Sequence, residues 1–153
     1  MGNKEAGMEK NYTKVEFEAL LENQGFARAV AGAFAAVKDP TMEELTEIKT
    51  AVSEAVSNAI IHGYKRKGEG RILMEMEALA PDKILIRITD YGSGISDVKK
   101  AMEPMYSTAS EMEMSGMGFT VMESFMDKVF VESGPDEGTV VTMIKYLDTY
   151  YGR

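Results

Sequence analysis

The segment 83–90 (KILIRITD) places an isoleucine at every second position, a pattern that predicts a β-strand with one buried face. The face is formed by Ile84, Ile86 and Ile88. Asp90 has the same parity, so its carboxylate points toward the apolar side at the end of the strand. A buried carboxylate is costly unless other groups donate hydrogen bonds to it. The chain must therefore cover the isoleucine face and supply a hydrogen-bond donor to Asp90.

The remaining periodicities predict an α+β fold. Strands are predicted at 12–20, 71–78, 83–90, 130–133 and 139–146, and helices at 26–37, 42–62, 96–102 and 119–129, with 106–118 irregular. Thr41 and Glu44 form a capping-box pattern at the start of the long helix, and Gly63 ends it. This order predicts a two-layer sandwich, in which helices cover one face of a mixed, mostly antiparallel β-sheet.

Length and composition limit the classes of protein. The 153 residues fit one domain, which we expect at 12–153 after a flexible tail at 1–11. The net charge of −8 argues against direct nucleic-acid binding, which needs clustered Lys and Arg. The chain has no cysteine, so it has no thiolate metal site, and its single histidine excludes a multi-histidine zinc site. No stretch is apolar enough to span a membrane, and we expect a cytoplasmic protein.

Two polar side chains of the long helix, Glu54 and Asn58, are neighbours one turn apart. They lie away from the apolar stripe, which comprises Leu45, Ile48, Val52, Ala55, Val56 and Ala59. A carboxylate beside a carboxamide can accept a proton and offer an oxygen ligand to Mg²⁺. The same spacing also occurs on an ordinary solvated helix face, so both interpretations stay open.

Two glycines, Gly92 and Gly94, follow Asp90 closely. An adenine amino group could donate to the Asp90 carboxylate, and the glycines would let a flat ligand approach the backbone. The alternative is a strand-end turn in which Asp90 caps the loop.

A second pair of glycines, Gly116 and Gly118, precedes the helix predicted at 119–129. Unpaired N–H groups and the positive end of the dipole make a helix N-terminus suitable for phosphate. The segment is not a P-loop, because no Gly-Lys-Ser/Thr follows, and the alternative is a flexible hinge.

The order of these segments resembles the ATPase superfamily of gyrase, heat-shock chaperones, histidine kinases and mismatch-repair proteins. The matching stretches are 54–63 (EAVSNAIIHG), Asp90-x-Gly92-x-Gly94, Gly116-x-Gly118-Phe119 and Gly138-Thr139. More closely, 40–49 (PTMEELTEIK), 61–64 (IHGY) and 115–120 (SGMGFT) resemble the sporulation anti-sigma F factors, a family of serine-protein kinases. The resemblance covers 12–147 and implies the Bergerat or GHKL ATPase fold.

The resemblance implies ATP and Mg²⁺ as cofactors and gives the site residues their roles. Glu54 would be the catalytic base that takes a proton from a serine hydroxyl, Asn58 would hold Mg²⁺, and Asp90 would receive the adenine amino group. The other implied nucleotide-site residues are His62, Gly92, Gly94, Ile95, Thr108, Gly116, Met117, Gly118, Phe119 and Thr139. For His62, an interaction with the last carbonyls of the helix is an equal alternative.

The resemblance also implies partners. Such kinases bind and inhibit a sigma factor and use ATP to phosphorylate a serine of an anti-anti-sigma factor. Arg28 matches a position that they use to contact both proteins, although it could equally be a solvated arginine. Relatives act as homodimers, and the first strand and first helix are the expected dimer surface.

One departure concerns the lid over the phosphates. No Lys or Arg stands between Met105 and Gly118, and Ala109 and Met114 occupy places where relatives have basic residues. Because cations stabilise a transferring phosphoryl group, we hypothesise weaker nucleotide retention or slower transfer.

Two alternatives to a sporulation anti-sigma kinase stay open. They are a stress-response kinase of the same fold and a nucleotide-binding anti-sigma module with little kinase activity.

Overall fold

The computed structural model describes residues 10–64, 70–95, 102 and 118–148, and the structural statements below concern this part of the chain. Its strands are β1 (Lys10–Glu18), β2 (Arg71–Leu79), β3 (Lys83–Asp90), β4 (Lys128–Ser133) and β5 (Thr139–Tyr146). Its α-helices are α1 (Gln24–Ala36), α2 (Met42–Asn58) and α3 (Gly118–Phe125), with a 3-10 turn at Leu21–Asn23. The helices pack on one face of the sheet, which confirms the predicted α+β sandwich.

The five described strands form one sheet in the order β1-β2-β3-β5-β4. Each neighbouring pair is antiparallel. Strand β3 is the central strand, between β2 and β5, and its residue Asp90 pairs with Thr139 of β5. The predicted alternation of β3 is confirmed, because Ile84, Ile86 and Ile88 are all buried. Asp90 is thereby held at the end of the central strand, on the same face as the helices.

The core lies between this face of the sheet and the helices. Its fully buried side chains include Ile48, Val52, Ile72, Met74, Ile86, Met122 and Met143. Full burial of one such side chain stabilises the fold by roughly 1.5–3 kcal/mol. Helix α2 contributes much of the predicted apolar stripe, with Ile48, Val52, Ala55 and Val56 buried and Leu45 partly buried. None of the helices in the described ranges has the length and apolar character needed to cross a bilayer.

The start of α2 is fixed by the predicted capping box. The Thr41 side chain accepts a hydrogen bond from the Glu44 N–H at 3.0 Å, and Glu44 Oε1 accepts one from the Thr41 N–H at 2.9 Å. Glu44 Oε2 also accepts from the Asp148 N–H at 2.9 Å. The cap therefore satisfies helix N–H groups and ties α2 to the residues after β5.

The end of α2 differs from the prediction of a regular helix to residue 62. The α-helix ends at Asn58, and a π turn follows at Ala59–Gly63, in which the Tyr64 N–H donates to the Ala59 carbonyl at 3.0 Å. A π turn is wider than an α turn and is frequent at functional sites. This turn brings the Gly63 carbonyl within 2.9 Å of the Ser93 N–H, just beyond β3.

The predicted helix 119–129 is wrong at its C-terminal end. The helix stops at Phe125, and Lys128 and Val129 belong to β4, where Val129 pairs with Met143. Pairing with β5 prevails over the helical periodicity because it satisfies the backbone of this segment while burying its apolar face.

Strand β1 begins two residues before the predicted strand 12–20. Lys10 pairs with Leu79, so the strand includes two residues assigned to the tail 1–11. The predicted helix 96–102, apart from Met102, and the irregular stretch 106–118, apart from Gly118, lie outside the described residues.

Lys145 ties the end of α3 to α2. Its Nζ, on a side chain that is 11% exposed, lies 2.6 Å from Glu47 Oε1 on α2 and donates to the Phe125 carbonyl at 2.7 Å. A cation at a helix C-terminus is favourable because it meets the negative end of the dipole. The contact fixes the position of α3 against α2.

We expect Thr41→Ala to lower the free energy of unfolding by about 1 kcal/mol, because it removes the acceptor of the capping box. Urea denaturation measures the change. Thr46→Ala is the matched control, since Thr46 is exposed within the same helix and Ala is a better helix former. An equal loss in both variants would contradict the role of the cap.

Candidate functional site

Asp90 is a buried carboxylate at the end of an apolar strand. Its residue is 5% exposed, and Oδ1 accepts a hydrogen bond from the Gly92 N–H at 2.9 Å. Burial raises the pKa of Asp90 to about 6, and the Gly92 N–H opposes this increase. Within the described ranges the carboxylate has no cationic partner, which leaves it able to accept hydrogen bonds from a ligand.

The packing beside this carboxylate depends on a glycine. A Cβ atom placed on Gly63 would lie 2.8 Å from Asp90 Oδ1, so any other residue would crowd the carboxylate. The π turn thus presents bare backbone to the end of β3. The Gly63 backbone therefore packs directly against one side of the Asp90 carboxylate.

The loop after β3 is held against the turn between β4 and β5. Gly94 has φ +78°, and a Cβ atom there would lie 1.9 Å from the Gly134 carbonyl oxygen, which only glycine avoids. The Asp136 N–H donates to the Ser93 carbonyl at 2.6 Å. The Ile95 N–H donates to Ser133 Oγ at 2.7 Å. These contacts fix the wall of the site next to Asp90 and Thr139.

Tyr64 supports the same region from behind. Its hydroxyl donates to the Arg71 carbonyl at 2.7 Å and accepts from the Tyr91 N–H at 2.7 Å. Burial raises the pKa of Tyr64, so the hydroxyl keeps its proton at neutral pH. The residue therefore connects the end of the π turn to the start of β2 and the end of β3. Sequence reasoning gave Tyr64 no role, although it closes the IHGY stretch.

Glu54 and Asn58 lie on the last turns of α2, and both are half-buried. Burial raises the pKa of Glu54, which makes its carboxylate a better proton acceptor near neutral pH. A Cβ atom on Gly118 would lie 2.9 Å from Asn58 Nδ2 and 3.1 Å from Asn58 Oδ1. The Asn58 amide is therefore next to the N-terminus of α3, where helix N–H groups can receive an anion.

The sequence is similar to a well-defined group of proteins. Residues 17–145 match the family of histidine kinase-like ATPase domains. Anti-sigma F factor of Bacillus subtilis is 49% identical over 138 residues, which are 90% of this chain and 94% of that protein. Anti-sigma F factor of Clostridium perfringens is 50% identical over 139 residues, 91% of this chain and 99% of that protein. The chain belongs to the anti-sigma F factor family.

Solved structures agree with this family's fold. The RsbU and RsbW domains of Rv1364c from Mycobacterium tuberculosis align with a TM-score of 0.65 over 90% of this chain and 32% of that chain, at 17% identity. The mycobacterial sensor histidine kinase MprB aligns with a TM-score of 0.54 over 67% of this chain and 72% of that chain, at 18% identity. At these identities the likeness shows the fold alone.

The structure brings many of the predicted site residues of this family member together. Those near the end of β3 are Asp90, Gly92, Gly94, Ile95 and Thr139, and those near the N-terminus of α3 are Asn58 and Gly118. His62 lies in the π turn between the two groups.

The remaining predicted site residues have the following positions. The Phe119 side chain is buried in the core. Arg28 is half-buried on α1, and its Nη1 donates to Ser53 Oγ at 3.2 Å. Thr108, Gly116 and Met117, together with Ala109 and Met114 of the lid, lie outside the described residues.

We expect Asp90→Asn to stabilise the ligand-free protein at pH 7 by roughly 1–3 kcal/mol. The pKa of Asp90 is raised from 3.8 to about 6, so the folded chain holds a proton there more tightly than the unfolded chain. The stability that protonation of Asp90 contributes to the folded chain is fully present below pH 3.8 and is lost as the pH rises through about 6. Asparagine retains an acceptor for the Gly92 N–H and has no charge to bury.

Urea denaturation of both proteins at pH 4.5 and pH 7 measures this difference, which should be larger at pH 7. Asp136→Asn is the control, because Asp136 is exposed and asparagine tolerates its φ of 61°. A loss of stability in Asp90→Asn at pH 7 would show that the fold favours the charged carboxylate.

Proposed function

We propose that this chain is an anti-sigma factor that binds and inhibits a sporulation-type sigma factor and uses ATP to phosphorylate a serine of an anti-anti-sigma factor. The observation that carries the proposal is the position of the end of α2 and of the π turn that follows it. Through Gly63 the π turn adjoins the Asp90 carboxylate, and through Asn58 the end of α2 adjoins the N-terminus of α3. The identity of 48–50% to proteins named anti-sigma F factor supports the biological role.

The two ends of the proposed site adjoin one short segment of the chain. Gly63 packs against Asp90, and Asn58, five residues earlier, lies next to Gly118. A base at Asp90 and phosphates at the N-terminus of α3 would therefore both adjoin the segment from the end of α2 to the π turn. The only hydrogen bond that the described residues donate to the Asp90 carboxylate is that of the Gly92 N–H to Oδ1, so the carboxylate has lone pairs that fit an adenine amino group.

The adenine end would be read by Asp90 and Thr139. These residues are opposite each other on β3 and β5, and both are buried. Asp90 is mainly ionised at pH 7, so its carboxylate would accept a hydrogen bond from the adenine amino group. Gly92, Gly94 and Ile95 would hold the wall of the pocket.

The phosphate end would be formed by Asn58 and the first turn of α3. Magnesium takes oxygen ligands, keeps several waters and needs only one or two protein groups when phosphates are present. The Asn58 amide oxygen fits this requirement, since it is next to the helix N-terminus that would receive the phosphates.

Glu54 would act on the serine of the partner. The bound ATP supplies the phosphoryl group, which is transferred to the serine oxygen and leaves ADP. Glu54 would orient the serine hydroxyl and take the proton that its oxygen loses. Its raised pKa suits this task, because a base works best when its pKa approaches the working pH.

The proposed partners would use other surfaces. Arg28 lies on α1 and donates a hydrogen bond to Ser53 of α2, the residue before Glu54. Strand β1 is at one edge of the sheet as described, so its outer backbone groups could pair with another chain. We propose that Arg28 contacts the sigma factor and its antagonist, and that β1 and α1 form a homodimer surface.

We expect Glu54→Gln to lower the rate of phosphoryl transfer by at least about a hundredfold while ATP affinity changes less than about threefold. Glutamine keeps the shape of the glutamate side chain, but its amide does not take up the proton that the serine hydroxyl loses. The measurement is transfer of labelled phosphate from Mg·ATP to a purified anti-anti-sigma factor from Bacillus subtilis. The wild-type rate should fall as the pH decreases through the raised pKa of Glu54, because the base must be ionised.

Glu43→Gln is the matched control, since Glu43 is an exposed carboxylate in the first turn of the same helix. It should transfer phosphate at nearly the wild-type rate. Retained transfer by Glu54→Gln would remove Glu54 from the base role. Tight ATP binding with no transfer to any serine-bearing antagonist would favour the nucleotide-binding module instead.

A further inference from the structure

The Ser133 hydroxyl, at the end of β4, contacts three neighbouring groups. Its Oγ accepts a hydrogen bond from the Ile95 N–H at 2.7 Å and donates one to the Gly138 carbonyl at 2.6 Å. The Thr139 hydroxyl oxygen lies 2.9 Å from the same Oγ. Ser133 thus joins the loop after β3 to the start of β5.

Counting donors assigns the direction of the last bond. A serine hydroxyl has one proton to donate and two lone pairs that accept. The Gly138 carbonyl can only accept, so it takes the Ser133 proton, and the Ile95 N–H can only donate, so it occupies one lone pair. Thr139 must therefore donate its own hydroxyl proton to the second lone pair of Ser133.

This direction determines what Thr139 offers to a ligand. Its proton is engaged with Ser133, so the Thr139 oxygen presents only lone pairs on its remaining sides. Asp90, directly opposite on β3, also presents only acceptors when it is ionised. The two side chains together form an end of the site that accepts hydrogen bonds and donates none.

We propose that Ser133 is a specificity-determining positioning residue, which fixes the Thr139 hydroxyl as an acceptor and so selects 6-amino over 6-oxo purine nucleotides. The inference rests on the proposed ATP site. An adenine amino group carries two N–H donors and matches the two acceptors. A 6-oxo purine such as hypoxanthine places an oxygen at the same position, where it meets the lone pairs of Thr139.

Ser133→Ala provides the direct test. The substitution releases the Thr139 proton, and Thr139 can then donate to the 6-oxo group while the ring N1–H of hypoxanthine donates to Asp90. We expect the affinity for Mg·ITP relative to Mg·ATP to rise roughly three- to tenfold, the value of one hydrogen bond. Titration calorimetry with each nucleotide measures the ratio, whatever general loss of affinity the variant also shows.

Two further substitutions separate this role from a general structural one. Ser133→Thr keeps the hydroxyl group and should retain the wild-type ratio. Thr139→Val removes the lone pairs that oppose the 6-oxo group, so it should raise the ratio by a similar factor, and adding Ser133→Ala to it should change the ratio no further. Thr142→Val is the control, because Thr142 lies on the same strand with its side chain on the opposite face.

The outcomes distinguish this inference from the proposed function. If wild-type protein binds Mg·ATP but Ser133→Ala leaves the ratio unchanged, the role of Ser133 is overturned and the ATP site stands. Should Ser133→Ala fail to fold, an unchanged ratio in Thr139→Val overturns the inference equally. If folded wild-type protein binds neither nucleotide, both the inference and the proposed ATP site are wrong.

Discussion

Exclusion of water from the Asp90 carboxylate is the constraint around which the rest of the site is arranged. The charge lies at the end of β3, in line with three buried isoleucines, and receives a backbone hydrogen bond from Gly92. Such a group opposes folding at neutral pH, because its pKa is raised to about 6 by burial. A fold that keeps it there must offset the cost elsewhere, and residues with this property are concentrated at functional sites.

Backbone contacts and hydrogen bonds hold the segments around Asp90 together. The π turn after α2, the loop after β3 and the turn before β5 approach one another through backbone atoms, with glycines where side chains would collide. Hydroxyl groups complete the contacts, with Tyr64 behind the carboxylate and Ser133 beside it. Lys145 holds the C-terminal end of α3 against α2. Two separate sets of contacts therefore position the region of Asp90 and helix α3.

The sequence alone predicted the features that depend on local periodicity. The parity of β3 indicated that Asp90 is buried, and Thr41 with Glu44 indicated the start of α2, because both patterns involve residues only a few positions apart. The helix predicted to 129 was too long because pairing of Val129 with Met143 is a tertiary contact that periodicity does not contain. Sequence reasoning missed Tyr64 and Ser133 for the same reason, since their partners are up to 38 positions away. The likeness to known proteins supplied the proposed roles of Glu54, Asn58 and Thr139, which spacing left open.

The central claim is that the loop after β3, the start of β5 and the start of α3 form one ligand site with the end of α2. Backbone amide NMR with a magnesium-bound, non-hydrolysable ATP analogue tests it most directly. We expect the amide signals of Gly92, Gly118 and Thr139 to shift together with a single dissociation constant, while those of Tyr12 and Val15 in β1 stay in place. Shifts confined to one of the three segments, or different dissociation constants among them, would contradict a single site.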